Sequence, residues 1–553
     1  MLLGAIALTV SADEISFRTL QTGSISGATP LTDHGLHGEG QIIAILDTGV
    51  DWDSCFFTEQ DGSPPPINTG TPSGGLRSTN VDLSRRKIVA YDFLYSCDQF
   101  PNAKGCDDPS SPLAYDNQGH GTTAAGVAAG DQGAQILHDY ADSIASAAKL
   151  VVQDAGYIGG DLCSQRPGLG CPLIDLHPVL EQAYDQGARI HSNSWGDRQN
   201  VPLSAIPPTG NYPKSAQDID DFVFNHPDMV VIFNTGNSGQ AGSTSLSAPG
   251  DAKNAIQVGG TRTTAPSGLN FIDDTSSWFS GRGPTRDGRL KPDLVGPAAV
   301  VASSNDKDVS TRSCGTWQQP GTSWSSPTIA AAAALVRQYY SDGYYPTGAP
   351  VASDRLAPSA ALVKATLIAA ARPVTYSSTN DNNRVPAPAA PNYEEGFGFP
   401  VLGNILHLPG DRAVLTARDV ALANGLTEGA SFASKVSVRA GTPLRIALVW
   451  TDPAGGVHTA VNDKTPVLVN DLDLQVVDPS GRVLFGNDSL HSGQPDRLNN
   501  AEALTFDAPA SGVWTISVAA HHLGEGPRQS YALVIDGDLG TTPVASRARI
   551  ARH

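Results

Sequence analysis

A chain of 553 residues is longer than one hydrophobic core usually serves, and 40% hydrophobic with 16% charged residues is the composition of packed domains, which excludes a mainly disordered chain. Its 55 acidic against 36 basic side chains give a net charge of −19, which argues against nucleic acid and anionic membranes as partners. Six cysteines lacking the short spacing of zinc sites point to disulfides and an oxidising compartment.

In chain order, residues 1–18 read as a residual signal or pro-segment: Met1 to Val10 are apolar and Ser11-Ala12 resembles a cleavage site, although a basic n-region is missing. No other run approaches the ~20 apolar residues of a membrane helix, so a soluble protein is expected. From Gln41 short β-branched runs alternate with Ala-rich helical patterns: IIAIL, GTTAAGVAAG, KLVVQ, HPVLEQAYDQGA, MVVIFN, AIQVGG and TIAAAAALVRQYY. That alternation predicts an α/β domain over residues 19–408, a mostly parallel sheet with helices on both faces. A Ser/Asn/Pro/Ala-rich stretch from Tyr376 to Asn392 reads as a loop. Period-two runs then predict a C-terminal antiparallel β-sandwich, a jelly roll, over residues 409–538. The remaining 539–553, with Arg547, Arg549 and Arg552, read as a solvated basic tail.

Cys97 with Cys106, and Cys163 with Cys171, each bracket a short Pro/Gly-containing loop, which leaves Cys55 and Cys314 as a long-range pair. Other connectivities of the six remain formally open.

Four residues stand out in their local runs. Asp47 ends the buried strand pattern in IIAILDTGVD, His120 sits between glycines in DNQGHGTTAAGVAAG, Ser323 enters an apolar helix in PGTSWSSPTIAAAAALV, and Asn237 lies in NTGNSG. Each alone has an ordinary structural reading as a turn residue, a helix-start histidine, an N-cap or a loop asparagine. Together, in the order Asp, His, Ser, they match the arrangement known from subtilisin. DTG, GHGT and GTSxxxP resemble the three signatures of subtilisin-like (S8) serine peptidases, and the likeness extends through SAPGDAKNAIQVGG, FSGRGPTRDGRLKPDLVGP and LVNDLDLQVVDPSG. With IHSNSWG and the β-rich tail, the chain is most similar to the oxidatively stable alkaline proteases of the KP-43 type.

The resemblance implies a secreted serine endopeptidase working through an acyl-enzyme. A serine hydroxyl is a weak nucleophile at neutral pH, so His120 would take its proton and return it to the leaving amine, Asp47 would hold the imidazole, and Asn237 with the Ser323 N–H would stabilise the oxyanion. Ser194, Trp195 and Gly196 are candidates for a wall along which an extended peptide adds as a strand, with Trp195 equally readable as a core aromatic. Thr235, Gly236 and Ser247 match positions lining the pocket for the residue before the cut; being small and uncharged, they favour large apolar or aromatic residues there. Two departures from the family pattern matter. Trp324 follows the nucleophile where Met is common, which predicts tolerance to peroxide, since Met229 is the only other methionine after Met1. The N-terminal pro-domain with which such enzymes are made is also expected, as a partner not present in this chain.

In the tail, Asp471 and Asp473 alternate with Leu472, Leu474 and Val476, and with Asp496, Asn499, Asn500 and Glu502 they would form an oxygen cage suited to structural Ca²⁺, a reading the family likeness favours over solvated turns. No cofactor is expected for catalysis. The partners expected are protein or peptide substrates, and the chain is expected to act as a monomer. GLHGEG precedes a strand where a dinucleotide loop must follow one, so it is discarded. The rival reading is a catalytically silent binding or adhesion protein built on a peptidase scaffold.

Overall fold

A computed structural model of the protein describes residues 12–540 except 25–26, 71–74, 77, 95–109, 112–114, 117, 134–140, 156–174, 197–210, 263–273, 305–308, 381–382, 461–462 and 508. Seven strands form the parallel centre of an 11-stranded sheet: β1 (Ile42–Asp47), β2 (Ile67–Thr69), β3 (Ile88–Phe93), β4 (Lys149–Asp154), β5 (Ile190–Asn193), β6 (Val230–Asn234) and β7 (Ile256–Thr261). They run in the order β7-β6-β5-β1-β4-β3-β2. β1, β4 and β6 are buried at nearly every position because both faces of the sheet are covered, which is why their sequences are continuous apolar runs. The chain passes from β4 on one side of β1 to β5 on the other, a switch of direction that opens a crevice beyond the carboxyl ends of these strands. Asp47 and Ser194 lie at that edge.

The helix Thr322–Ser341 is buried from Thr322 to Tyr340; the small side chains of Ala330 to Ala334 let it pack closely against β5, β6 and β7 and the helix His120–Ala129. The helix Ala12–Thr22 runs through the expected boundary at 18/19, with Phe17 and Leu20 in the core and Gln21 Oε1 accepting from Leu31 N–H at 3.0 Å. The expected loop after Tyr376 is instead a hairpin of Tyr376–Asn380 against Asn383–Pro386, which extends the large sheet. Its second strand is exposed at every residue, so it carries no apolar alternation for a sequence reading to find.

The C-terminal region is a sandwich of two antiparallel sheets, one of four strands and one of five. Ile446, Leu448 and Trp450 point into its interior with Leu472, Leu474, Val476, Trp514 and Ile516. The other face of the four-stranded sheet, with Ala447, Val449, Ala532 and Val534, joins the core of the α/β domain. The helix Ala360–Ala370 covers that face, and the strand Tyr531–Gly537 is accordingly buried at every position.

Cys55 and Cys314 are joined by a disulfide with Cα atoms 4.9 Å apart across a sequence separation of 259, as the long-range pairing predicts. Cys97, Cys106, Cys163 and Cys171 lie outside the described residues. Among the described residues no helix is long and apolar enough to cross a membrane.

Candidate active site

Asp47 is the buried last residue of β1, and its Oδ1 accepts hydrogen bonds from Thr48 N–H at 2.8 Å and from His120 Nδ1 at 2.7 Å. His120 opens its helix after Gly119, whose φ of 82° is left-handed. The approach needs Gly121: a Cβ there would lie 2.0 Å from the Gly49 carbonyl oxygen, so a larger residue would push the helix away from the Asp47 turn. Burial lowers the pKa of His120, but the charge and hydrogen bond of Asp47 outweigh it and leave it above the ordinary 6.5.

Asp116, which no motif in the sequence singles out, is buried beside the Asp47 turn. Its carboxylate accepts from Gly119 N–H at 2.8 Å, Thr122 N–H at 2.9 Å, Thr122 Oγ1 at 2.6 Å and Thr48 Oγ1 at 3.1 Å, tying the turn after Asp47 to the start of the His120 helix. Burial pushes its pKa up to about 6, against hydrogen bonds from Thr122 and Gly119 that lower it, with the charge of Asp47 adding to the rise. Its signal was present four residues before His120 in DNQGH, but an Asp beside Asn and Gly reads first as a turn former.

Ser323 is the second residue of its helix, and Gly321, not the serine, is the N-cap. Pro327 lies inside the helix, and its missing N–H frees the carbonyl of Ser323. Ser194 Oγ donates to that carbonyl at 2.6 Å, and Ser323 Oγ donates to the Ser194 carbonyl at 3.4 Å. The β5 edge and the helix that carries Ser323 are thereby pinned together. The ring of Trp324 lies against that of His120, centroids 5.1 Å apart, which brings the imidazole alongside the helix turn that carries Ser323.

Asn237 accepts at Oδ1 from both Thr322 N–H and Thr322 Oγ1, each at 2.9 Å. That fixes the amide plane and turns Nδ2 toward Gly321. A carbon placed as Cβ on Gly321 would sit 3.8 Å from Asn237 Nδ2 and 3.8 Å from Ser323 N, so both donors border one space.

The remaining candidates gather around Ser247. A Cβ on Gly196 would lie 2.6 Å from Ser247 Oγ, and one on Gly236 would lie 3.1 Å from it, so both glycines border this side chain. Ser247 N–H donates to the Thr235 carbonyl at 3.0 Å, while Ser247 Oγ is buried without a partner. Trp195 is edge-on to Phe233 at 5.2 Å and donates to Asn193 Oδ1 at 3.2 Å, so its ring is tied into the sheet.

The expected calcium ligands do not assemble. Arg497 Nη1 donates to both Asp471 and Asp473, putting a guanidinium where the cation was expected. Asp496 accepts from Asn487 Nδ2 and Asn499 Nδ2 at 2.7 Å each, Asn500 Nδ2 donates to the Trp450 carbonyl at 2.9 Å, and buried Glu502 accepts from Leu474 N–H at 2.8 Å. Burial, with the charge of Asp496, raises the pKa of Glu502 well above the usual carboxyl range. These residues do not fit an oxygen cage. Among the described residues the group whose ligand atoms all lie within 4.8 Å is Asp175, His177 and Asp218.

Residues 38–398 match the subtilase family, Peptidase_S8, and residues 431–520 match the bacterial pre-peptidase C-terminal domain. The serine protease/ABC transporter B family protein tagD of Dictyostelium discoideum is 27% identical over 92% of this chain and 32% of its own length. Mycosin-3 of Mycobacterium tuberculosis is 26% identical over 57% of this chain and 66% of its own length. The chain thus spans about a third of the length of the Dictyostelium relative. Among solved structures, a serine protease of Aeromonas sobria aligns over 95% of both chains with 14% identity and a TM-score of 0.40. With more than half of its residues matching the family, and a parallel sheet that carries Asp47, Ser194 and Asn237 to one crevice, the chain belongs to the subtilase family of serine peptidases.

Proposed function

We propose that this protein is a secreted serine endopeptidase in which Ser323 is the nucleophile, His120 the general base and acid, Asp47 the partner of the imidazole, and Asn237 an oxyanion donor. Ser323 Oγ bonds to the scissile carbonyl carbon as its proton passes to His120, and the carbonyl π pair moves onto oxygen. The oxyanion collapses, the C–N bond breaks, and His120 gives the proton to the leaving amine. Water then repeats both steps against the acyl-enzyme, releasing the acid and restoring Ser323. The observation that carries the reading is the 2.7 Å hydrogen bond from His120 to buried Asp47, made beside a nucleophile turn whose N–H shares a space with the amide of Asn237.

The small uncharged residues Thr235, Gly236 and Ser247 favour large apolar or aromatic side chains before the cut. The Cys55–Cys314 disulfide favours an oxidising compartment. The β-sandwich acts as a brace for the catalytic domain, a role supported by their shared core. A peptide-library cleavage profile tests the activity and its preference together. Cleavage after Phe, Tyr or Leu that disappears in Ser323→Ala supports the reading, and undiminished hydrolysis by that variant sinks it.

A further inference from the structure

The space in front of Gly321 has a third donor. The indole Nε1 of Trp324 would lie 3.7 Å from a carbon placed as Cβ on Gly321, a distance comparable to the 3.8 Å of Asn237 Nδ2 and of Ser323 N. Trp324 is 3% exposed, and its Nε1 is buried without a hydrogen-bond partner among the described residues. A buried indole N–H ordinarily finds an acceptor, because leaving a buried donor unmade is costly. The three heavy atoms nearest that carbon are all nitrogens that carry a donor hydrogen, a set suited to an acceptor brought in by a ligand. The ring is held by contact with His120 at 5.1 Å on one side and by Trp317, edge-on at 6.4 Å, on another, so Nε1 is fixed in place before a substrate arrives.

Resting on the reading of Ser323 as nucleophile, we propose that Trp324 is a catalytic residue whose indole N–H donates a third hydrogen bond to the oxyanion. The acceptor is the scissile carbonyl oxygen, which strengthens as an acceptor when the π pair moves onto it. The bond is therefore made chiefly in the transition state, and a fixed donor in a water-poor site needs no reorganisation to make it. The residue after the nucleophile would then serve the reaction directly, in addition to lacking an oxidisable sulfur.

Trp324→Phe keeps an aromatic ring against His120 and removes the donor; Trp324→Met removes it with an unbranched chain. For each, kcat and KM on a peptide substrate are measured alongside the melting temperature and the inhibition constant of a peptide aldehyde, whose adduct with Ser323 carries a tetrahedral oxygen. The expected result is a fall in kcat of about tenfold to 10² with KM nearly unchanged, and a matching loss of aldehyde affinity, in whichever variant melts like the parent. If neither does, aldehyde affinity relative to that of the matching peptide alcohol is compared at a temperature where the variant is folded, and the selective loss is expected there. A kcat within twofold of the parent, a loss confined to KM, or aldehyde and alcohol affinities that fall together would overturn the proposal. Failure of the unmodified protein to cleave the peptide or bind the aldehyde would instead overturn the nucleophile assignment beneath it.

Discussion

Two asparagines seventeen residues apart in the chain show how differently the crevice and the domain seam treat polar groups. Asn254, at the seam, uses its whole side chain: Nδ2 donates to the carbonyls of Asp220 at 3.0 Å and Asp452 at 2.8 Å, and Oδ1 accepts from Asp452 N–H at 2.9 Å and Asn500 Nδ2 at 3.0 Å. Beside it Lys253, 1% exposed, pairs with Asp452 at 2.9 Å and donates to the carbonyls of Pro453 and Val467 at 2.7 Å each. Asn237, at the crevice, uses only its carbonyl among the described residues, on Thr322, and turns its amide to a space bordered by other donors. Seam groups satisfied by the fold hold the two domains together. In the proposed mechanism, the crevice donors are the ones that meet a group arriving from outside.

Substitutions at the crevice and at the seam should separate activity from stability. The largest effect expected is at Asp47→Asn, which should lower kcat about 10⁴-fold while the fold persists. The pH dependence gives its sign: His120 must be neutral to act as base and its pKa is raised, so the acid limb of kcat/KM in the parent should lie above 6.5. In the variant the raising charge is gone and burial remains, so that limb should move to lower pH; a limb that stays put would detach Asp47 from His120. At the seam, Lys253→Met leaves Asp452 and Asp220 buried without their cation, and denaturant unfolding should show a loss of about 3–5 kcal/mol with kcat of the folded fraction unchanged.

The two asparagines form the sharpest pair. Asn237→Ala should reduce kcat by about 10²–10³ at an unaltered melting temperature. Asn254→Ala should do the reverse, costing about 1–3 kcal/mol for each seam group left unsatisfied and leaving kcat alone. Equal effects of both on stability would erase the distinction drawn between the regions. The smallest effect expected is with peroxide: Met229 is buried in the core and Trp324 replaces the vulnerable methionine, so activity should persist in a matched incubation that inactivates a relative bearing Met at that position.

Much of the fold was legible because burial on both faces writes itself into a sequence as unbroken apolar runs, and β1, β4 and β6 are such runs. Asp47, His120, Ser323 and Asn237 were legible as a set because each lies in a short motif whose glycines are needed for close approach, as at Gly121. What the sequence could not disclose depends on partners distant in the chain. Asp471 and Asp473 look like free carboxylates until Arg497 is folded onto them. Asp116 looks like a turn residue until Thr48 is found among its donors. The role of Pro327 depends on Ser194, which reaches across from β5 to the carbonyl that the proline frees.

The central claim is that Ser323 is a nucleophile activated in this crevice. Treating the folded protein with a fluorophosphonate and mapping the adduct by peptide mass spectrometry tests it most directly. One adduct is expected, on Ser323, lost in Ser323→Ala and strongly slowed in His120→Ala. A folded protein that takes no label, or takes it on another serine, would contradict it.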